Sequence, residues 1–172
     1  AVWPIGFLLQ DISWTEQTNE LKVSAVQGNI AQEQKWLPEQ RFPTINAYLE
    51  ESRQHWDSDV ILWPETAVTV LKDQFQPYLE TINEEAANNQ TAIITGIPFR
   101  YTEGPFLGEF HNSIVAVGMG GGLYHKQKLV PFGEYIPLES LIRGLLPFFD
   151  LPMSSFKQGS EDQPFLKAEK DE

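Results

Sequence analysis

Apolar positions along the chain repeat with two different periods, which mark strands and helices. Residues 21–27 (LKVSAVQ) alternate at strand spacing, 60–63 (VILW) form an unbroken apolar run, and 91–97 and 110–117 are two further β-rich runs. Between the first and second runs, Phe42, Ile45, Tyr48, Leu49, Ser52 and Trp56 recur every three or four positions. They follow Trp36-Leu37-Pro38-Glu39, whose proline and acid suit a first helical turn. Between the second and third, Phe75, Tyr78, Leu79, Ile82 and Ala86 make a second stripe, opened by Gln76-Pro77 and closed by Asn88-Asn89 in a left-handed cap. The glycines at 118, 120, 121 and 122 predict a hairpin into Leu123-Tyr124. No helix with Lys-Ser or Lys-Thr follows them, as a phosphate loop would require. Strand–helix alternation ending in a hairpin predicts an α/β fold with a mixed sheet.

The run at 60–63 reads as a strand buried on both faces, stopped by Pro64, which has no N–H for a ladder. Glu65 follows at the C-terminal lip, where open α/β sheets keep their chemistry. A second informative stretch is 124–137 (YHKQKLVPFGEYIP), in which Pro131, Gly133 and Pro137 bend the backbone around Lys126, Lys128 and Glu134. Loops that constrained usually hold something in place. Pro137 and Glu139 then predict a helix with Leu138, Leu141, Ile142 and Leu145 as its stripe, broken by Gly144 and Pro147. The stretch 145–156 (LLPFFDLPMSSF) carries Asp150 as its only charge and two prolines, so it reads as a hydrophobic flap in preference to a core plug. Residues 1–9 (AVWPIGFLL) have no basic n-region and are too short to cross a bilayer, which needs about 20 residues. They fit either the stub of an upstream hydrophobic segment or a piece packed on the domain.

Composition narrows the chemistry. The chain has 172 residues, room for one sizeable core, and a net charge of -12 without a basic stripe, which argues against nucleic acid as a partner. There is no cysteine, so disulfides, thiolate metal sites and a cysteine nucleophile within this chain are excluded. His55, His111 and His125 show no short ligand spacing. What remains is a Glu after one strand and a Lys after another, suited to a general base and an oxyanion-stabilising cation, with Glu134 able to keep that ammonium charged and aimed. A structural salt bridge among these residues is the plainer alternative.

The strings VSAVQGN (23–29), Trp63-Pro64-Glu65, Tyr124-His125-Lys126, LVPFGEYIP (129–137) and FFDLPMS (148–154) resemble the nitrilase-type domain of the bacterial apolipoprotein N-acyltransferase family, from about Leu21 to about Leu166. The resemblance implies a nitrilase-like αββα sandwich, with residues 1–20 as the stub of a membrane segment and linker and 21–172 as a partial carbon–nitrogen hydrolase domain. It implies Glu65 as general base, Lys126 as oxyanion lysine and Glu134 as a second essential glutamate. Trp36, Phe148 and Phe149 are implied to meet substrate, and no metal or organic cofactor is implied. The family's cysteine nucleophile, followed by Tyr and Glu, is not in this sequence, so this chain alone is expected to be inactive.

By the same resemblance the partners are a phospholipid acyl donor, typically phosphatidylethanolamine, a diacylglyceryl apolipoprotein acceptor and the bacterial inner membrane, with the domain facing the periplasm. Two other readings remain open. One is a soluble nitrilase or amidase using the same Glu-Lys-Cys chemistry. The other is a non-catalytic binding module.

Overall fold

The computed structural model describes residues 2–31, 33–137 and 156–168. Five strands form one mixed sheet in the order β1 (Val23–Ala25), β2 (Val60–Leu62), β3 (Ala92–Arg100), β4 (Phe110–Gly118), β5 (Leu123–His125). β1, β2 and β3 are parallel, and β4 and β5 run antiparallel to their neighbours. Helix α2 (Arg41–Arg53) crosses between β1 and β2, and α3 (Lys72–Asn88) between β2 and β3. The predicted α/β class with a mixed sheet is the architecture observed.

Both crossover helices lie on one face of the sheet. Ile45, Tyr48 and Leu49 of α2 and Phe75, Leu79, Ile82 and Ala86 of α3 pack on Ile61, Ile93, Ile97, Val115 and Val117 as a single core. A bidentate pair from Arg53 to Glu85, at 2.6 and 2.8 Å, ties the two helices together. On the other face Val23 is 51% and Leu62 37% exposed. The run at 60–63 is therefore buried on both faces as predicted except at Leu62: Val60 and Leu62 both point away from the helices that cover Ile61, and only Leu62 is exposed.

Other boundaries shift for local reasons. Residues 38–40 form a 3-10 turn, and α2 begins only at Arg41, leaving Phe42 half exposed. α3 starts at Lys72, one turn before the predicted Gln76-Pro77, because Phe75 must be helical to reach the core; Pro77 is absorbed inside the helix. The left-handed residue after α3 is Gln90 (φ 57°), while Asn89 closes the last turn at φ -95° with its side-chain amide on the Glu85 carbonyl. β3 runs on through Pro98, past the predicted end at Ile97. The carbonyls of Ile94 and Gly96 accept from Trp63 and Val68, so even-numbered residues face the β2 side. β2 has already ended there, and Pro98 breaks no ladder.

Residues 2–9 form a short helix, α1 (Val2–Leu9), with no buried residue. The reading in which this segment packs on the domain is not what the structure shows. No helix among the described residues is long and apolar enough to cross a membrane. The helix expected from Pro137 and Glu139, and the flap apart from Phe156, lie outside the described residues.

Candidate active site

The site is assembled from three sheet elements and one constrained loop. Trp63 anchors the end of β2. Its N–H donates to the Ile94 carbonyl (2.9 Å), its indole Nε1 to buried Ser52 Oγ (2.8 Å), and its ring stacks on Tyr48 at 5.5 Å. Pro64 then turns the chain, and Glu65 emerges at the lip with its side chain 59% exposed. Close approach fixes it there. The Glu65 backbone lies against Gly96 so tightly that a Cβ on Gly96 would fall 1.4 Å from the Glu65 carbonyl oxygen.

Lys126 continues β5, donating its N–H to the Asn112 carbonyl (2.8 Å) and accepting from Gly159 N–H (3.0 Å). Its ammonium reaches Glu65 Oε1 at 2.7 Å and Glu134 Oε1 at 3.1 Å. Glu134 is held by its own loop: its Oε2 accepts from Val130 N–H (2.7 Å), while its N–H returns to the Val130 carbonyl (2.9 Å). The turn that makes this closure puts Phe132 at φ 62°, unusual for a bulky residue. Trp36, Glu65, Lys126, Glu134, Asn112 and Phe156 line one cleft of about 270 Å³.

Burial works against the Lys126 charge, but hydrogen bonds and charges from Glu65 and Glu134 outweigh it, and the ammonium pKa is raised. Glu134 is likewise pushed up by burial but held below the ordinary range by hydrogen bonds from Asn112, Val130 and Lys126. The sequence named Glu134 as able to keep that ammonium charged and aimed. In the structure both carboxylates hold it, because Glu65 is near enough to share. Both of the Glu65 bonds fall on Oε1, so among the described residues Oε2 is the oxygen left to face an incoming proton.

Asn112 is a site residue that the sequence reading missed. Its Nδ2 donates to Glu65 Oε1 (3.0 Å) and Glu134 Oε1 (2.5 Å), bridging the two carboxylates beside the lysine. The signal was a polar side chain inside an otherwise β-rich run, two positions from the strand start. Lys35, half-buried next to Trp36, is a second cation near Glu65, lowered by burial and raised by that carboxylate. Lys128 is exposed and does not line the cleft. Phe148 and Phe149 lie outside the described residues.

Asn112→Ala should cost about 1.5–3 kcal/mol, the range for hydrogen bonds to charged groups. Urea unfolding at pH 7 measures it. The loss should shrink to about 1–1.5 kcal/mol in a Glu134→Gln background, where one charged acceptor is gone and the Glu65 carboxylate remains.

A family model for carbon–nitrogen hydrolases matches residues 22–165. Apolipoprotein N-acyltransferase of Pseudomonas paraeruginosa is 49% identical over 96% of this chain and 33% of its own length. The one from Pseudomonas syringae is 46% identical over 98% of this chain, and that from Vibrio vulnificus 42% over 95%. The chain thus spans about one third of the length of the curated relatives it matches. An amidase from Nesterenkonia sp. superposes loosely, at TM-score 0.46 and 13% identity over 88% of this chain and 53% of its own.

Proposed function

The chain belongs to the carbon–nitrogen hydrolase family, and from that premise we propose that it supplies the base, the oxyanion cation and their support to an N-acyltransferase acting on lipid-modified proteins. The observation that carries this is the Lys126 ammonium held between Glu65 and Glu134 in an open cleft. The near-half identity to relatives named apolipoprotein N-acyltransferase supports the choice of acyl transfer over hydrolysis. The nucleophile is a cysteine thiol, which is not among these 172 residues and which the longer protein contributes.

Glu65 takes the thiol proton, and the thiolate attacks an ester carbonyl of a phospholipid, phosphatidylethanolamine being the expected donor. Lys126 stabilises the oxyanion that forms. Collapse expels the lysophospholipid alkoxide, which recovers the proton from Glu65, and leaves a thioester. The α-amino group of a diacylglyceryl-cysteine then attacks that thioester, giving the amide and returning the thiol. Exposed Val130 and Phe132 near the cleft suit lipid substrates, as does an inner-membrane setting with the site on the periplasmic side. Residues 1–20 serve as the connection to a membrane segment and 21–172 as the catalytic domain's share.

The longer protein, reconstituted in phosphatidylethanolamine vesicles with a diacylglyceryl-cysteine peptide, should add one acyl chain to the peptide, read by mass. The 172-residue chain alone should add none, for want of a thiol. Acylation by the short chain would show the nucleophile misassigned. Amide hydrolysis without acyl transfer by the longer protein would favour the soluble amidase reading.

A further inference from the structure

Behind the cleft, on the helix-covered side of the sheet, two histidines stack. His111 on β4 and His125 on β5 have ring centroids 4.3 Å apart and planes 29° from parallel. Each immediately precedes a cleft residue, Asn112 and Lys126 respectively. Successive side chains of a strand point to opposite faces, so the pair directly backs both donors to the carboxylates. His111 is 5% exposed, and among the described residues neither of its ring nitrogens meets a hydrogen-bond partner within normal geometry.

His125 is pinned more fully. Its Nδ1 is 2.7 Å from Ser113 Oγ, and the Gln163 side-chain amide bonds both its backbone N–H (2.8 Å) and its carbonyl (2.6 Å). Phe99 and Tyr101 pack around the rings at 4.9–6.0 Å. Among the described residues, the titratable or charged groups that reach the pair are Glu109, 4.0 Å from His111 Nε2, Tyr101, and Lys157 through its backbone.

We propose that the His111–His125 stack is a positioning element for Lys126 and Asn112, holding them from behind while both rings are neutral and releasing them when either is protonated. Two neutral rings can stack at this distance, with His111 buried and His125 half-buried. A proton on His111 would charge a buried ring whose nearest carboxylate, Glu109, stands 4.0 Å off, beyond hydrogen-bond reach, and a second proton would set like charges 4.3 Å apart. Relief requires a ring to reach water. His125 shares a peptide unit with Lys126, and Gly159 lies against the His125 carbonyl with no room for even a Cβ, so that movement cannot leave Lys126 in place.

The electrostatics of the two rings agree in sign. Burial lowers both imidazoles, His125 to about 4 with the His111 charge adding to it, while Glu109 partly opposes the fall in His111. From an ordinary value of 6.5 in the open state to about 4 in the closed one, the open state gains protons as pH falls from 6.5 towards 4. The closed site is therefore fully stable above pH 6.5 and loses stability below it.

The test is hydrogen exchange on the full chain at pH 7.5 and pH 5.0, corrected for the intrinsic pH dependence of exchange. This readout does not depend on any enzymatic activity, so it stands apart from the acyl-transfer assignment. Segments 110–118 and 123–127 should lose roughly 30-fold in protection at pH 5.0, the factor for one group moving from 6.5 to about 4. Core segments in α3 and β2 should change less than threefold. His125→Phe should cut the local loss to the part carried by His111, and His125→Asn, which cannot titrate, should do the same if the Phe variant does not fold. An equal loss in wild type and His125→Asn would overturn the proposal, as would a loss spread evenly over the whole core.

Discussion

Lys126→Met in the longer protein should lower kcat for acyl transfer by about 10²–10³-fold with KM nearly unchanged, the pattern of a lost transition-state contact. The ammonium bonds to two carboxylates, 2.7 Å from one and 3.1 Å from the other, and is the only side-chain cation in contact with either among the described residues. Removing it takes away the oxyanion partner and also leaves Glu65 and Glu134 facing each other with Asn112 alone between them. Two carboxylates so placed cannot both stay ionised cheaply, so one takes up a proton and the base is weakened at neutral pH. Lys126→Arg should rescue poorly, because a planar fork does not replace a compact charge bonded to two carboxylates from one atom. Steady-state kinetics on the parent and both variants measure this. A Lys126→Met enzyme within threefold of the parent kcat would remove the lysine from the mechanism.

What the sequence made legible was the order of elements and the chemistry-bearing residues, since both depend on local signals. Apolar period two against three-and-a-half separated the strands from α2 and α3, and Pro64 marked where β2 must stop with Glu65 exposed. The meeting of Glu65 and Lys126, 61 positions apart, depends on β3 and β4 lying between their strands in the right order. The motif resemblance supplied the expectation that the two share a site; periodicity could not. Features set by tertiary packing were misread. Pro77 looks like a helix start, but Phe75 needs the preceding turn to reach the core. Leu62 looks buried like Ile61, but the two helices cover only one face of the sheet. Asn112 is the middle of three polar residues, His111 to Ser113, in a β-rich run, and only the folded sheet brings the two carboxylates to it.

Gly96→Ala should be the most damaging single-methyl change in the site, costing about 3 kcal/mol or more of stability and at least about 10²-fold in acyl transfer. Glycine in the middle of β3 looks merely permissive, but its φ is not in the left-handed region; what matters is space. The new Cβ would lie 1.4 Å from the Glu65 carbonyl oxygen, 2.1 Å from its carbonyl carbon and 2.8 Å from its Cα, whereas ordinary contact begins at 3.4 Å.

Neither backbone can yield alone. Glu65 is bracketed by Trp63 N–H on the Ile94 carbonyl (2.9 Å) and by Val68 N–H on the Gly96 carbonyl itself (3.3 Å), and Trp63 is pinned through its indole to Ser52. β3 is the central strand, paired with β4 along its whole length from Ala92 to Arg100. Moving Glu65 out by the missing distance would break the bond to Val68 and carry the carboxylate away from Lys126. Gly121→Ala is the control, since its added Cβ meets nothing within 4 Å; it should change stability by less than about 0.5 kcal/mol. Urea midpoints of the two variants, followed by acyl transfer in the longer protein, separate the outcomes. A Gly96→Ala variant as stable as Gly121→Ala would mean that Glu65 is not fastened to β3 at all, and its place at the head of the mechanism would go with it.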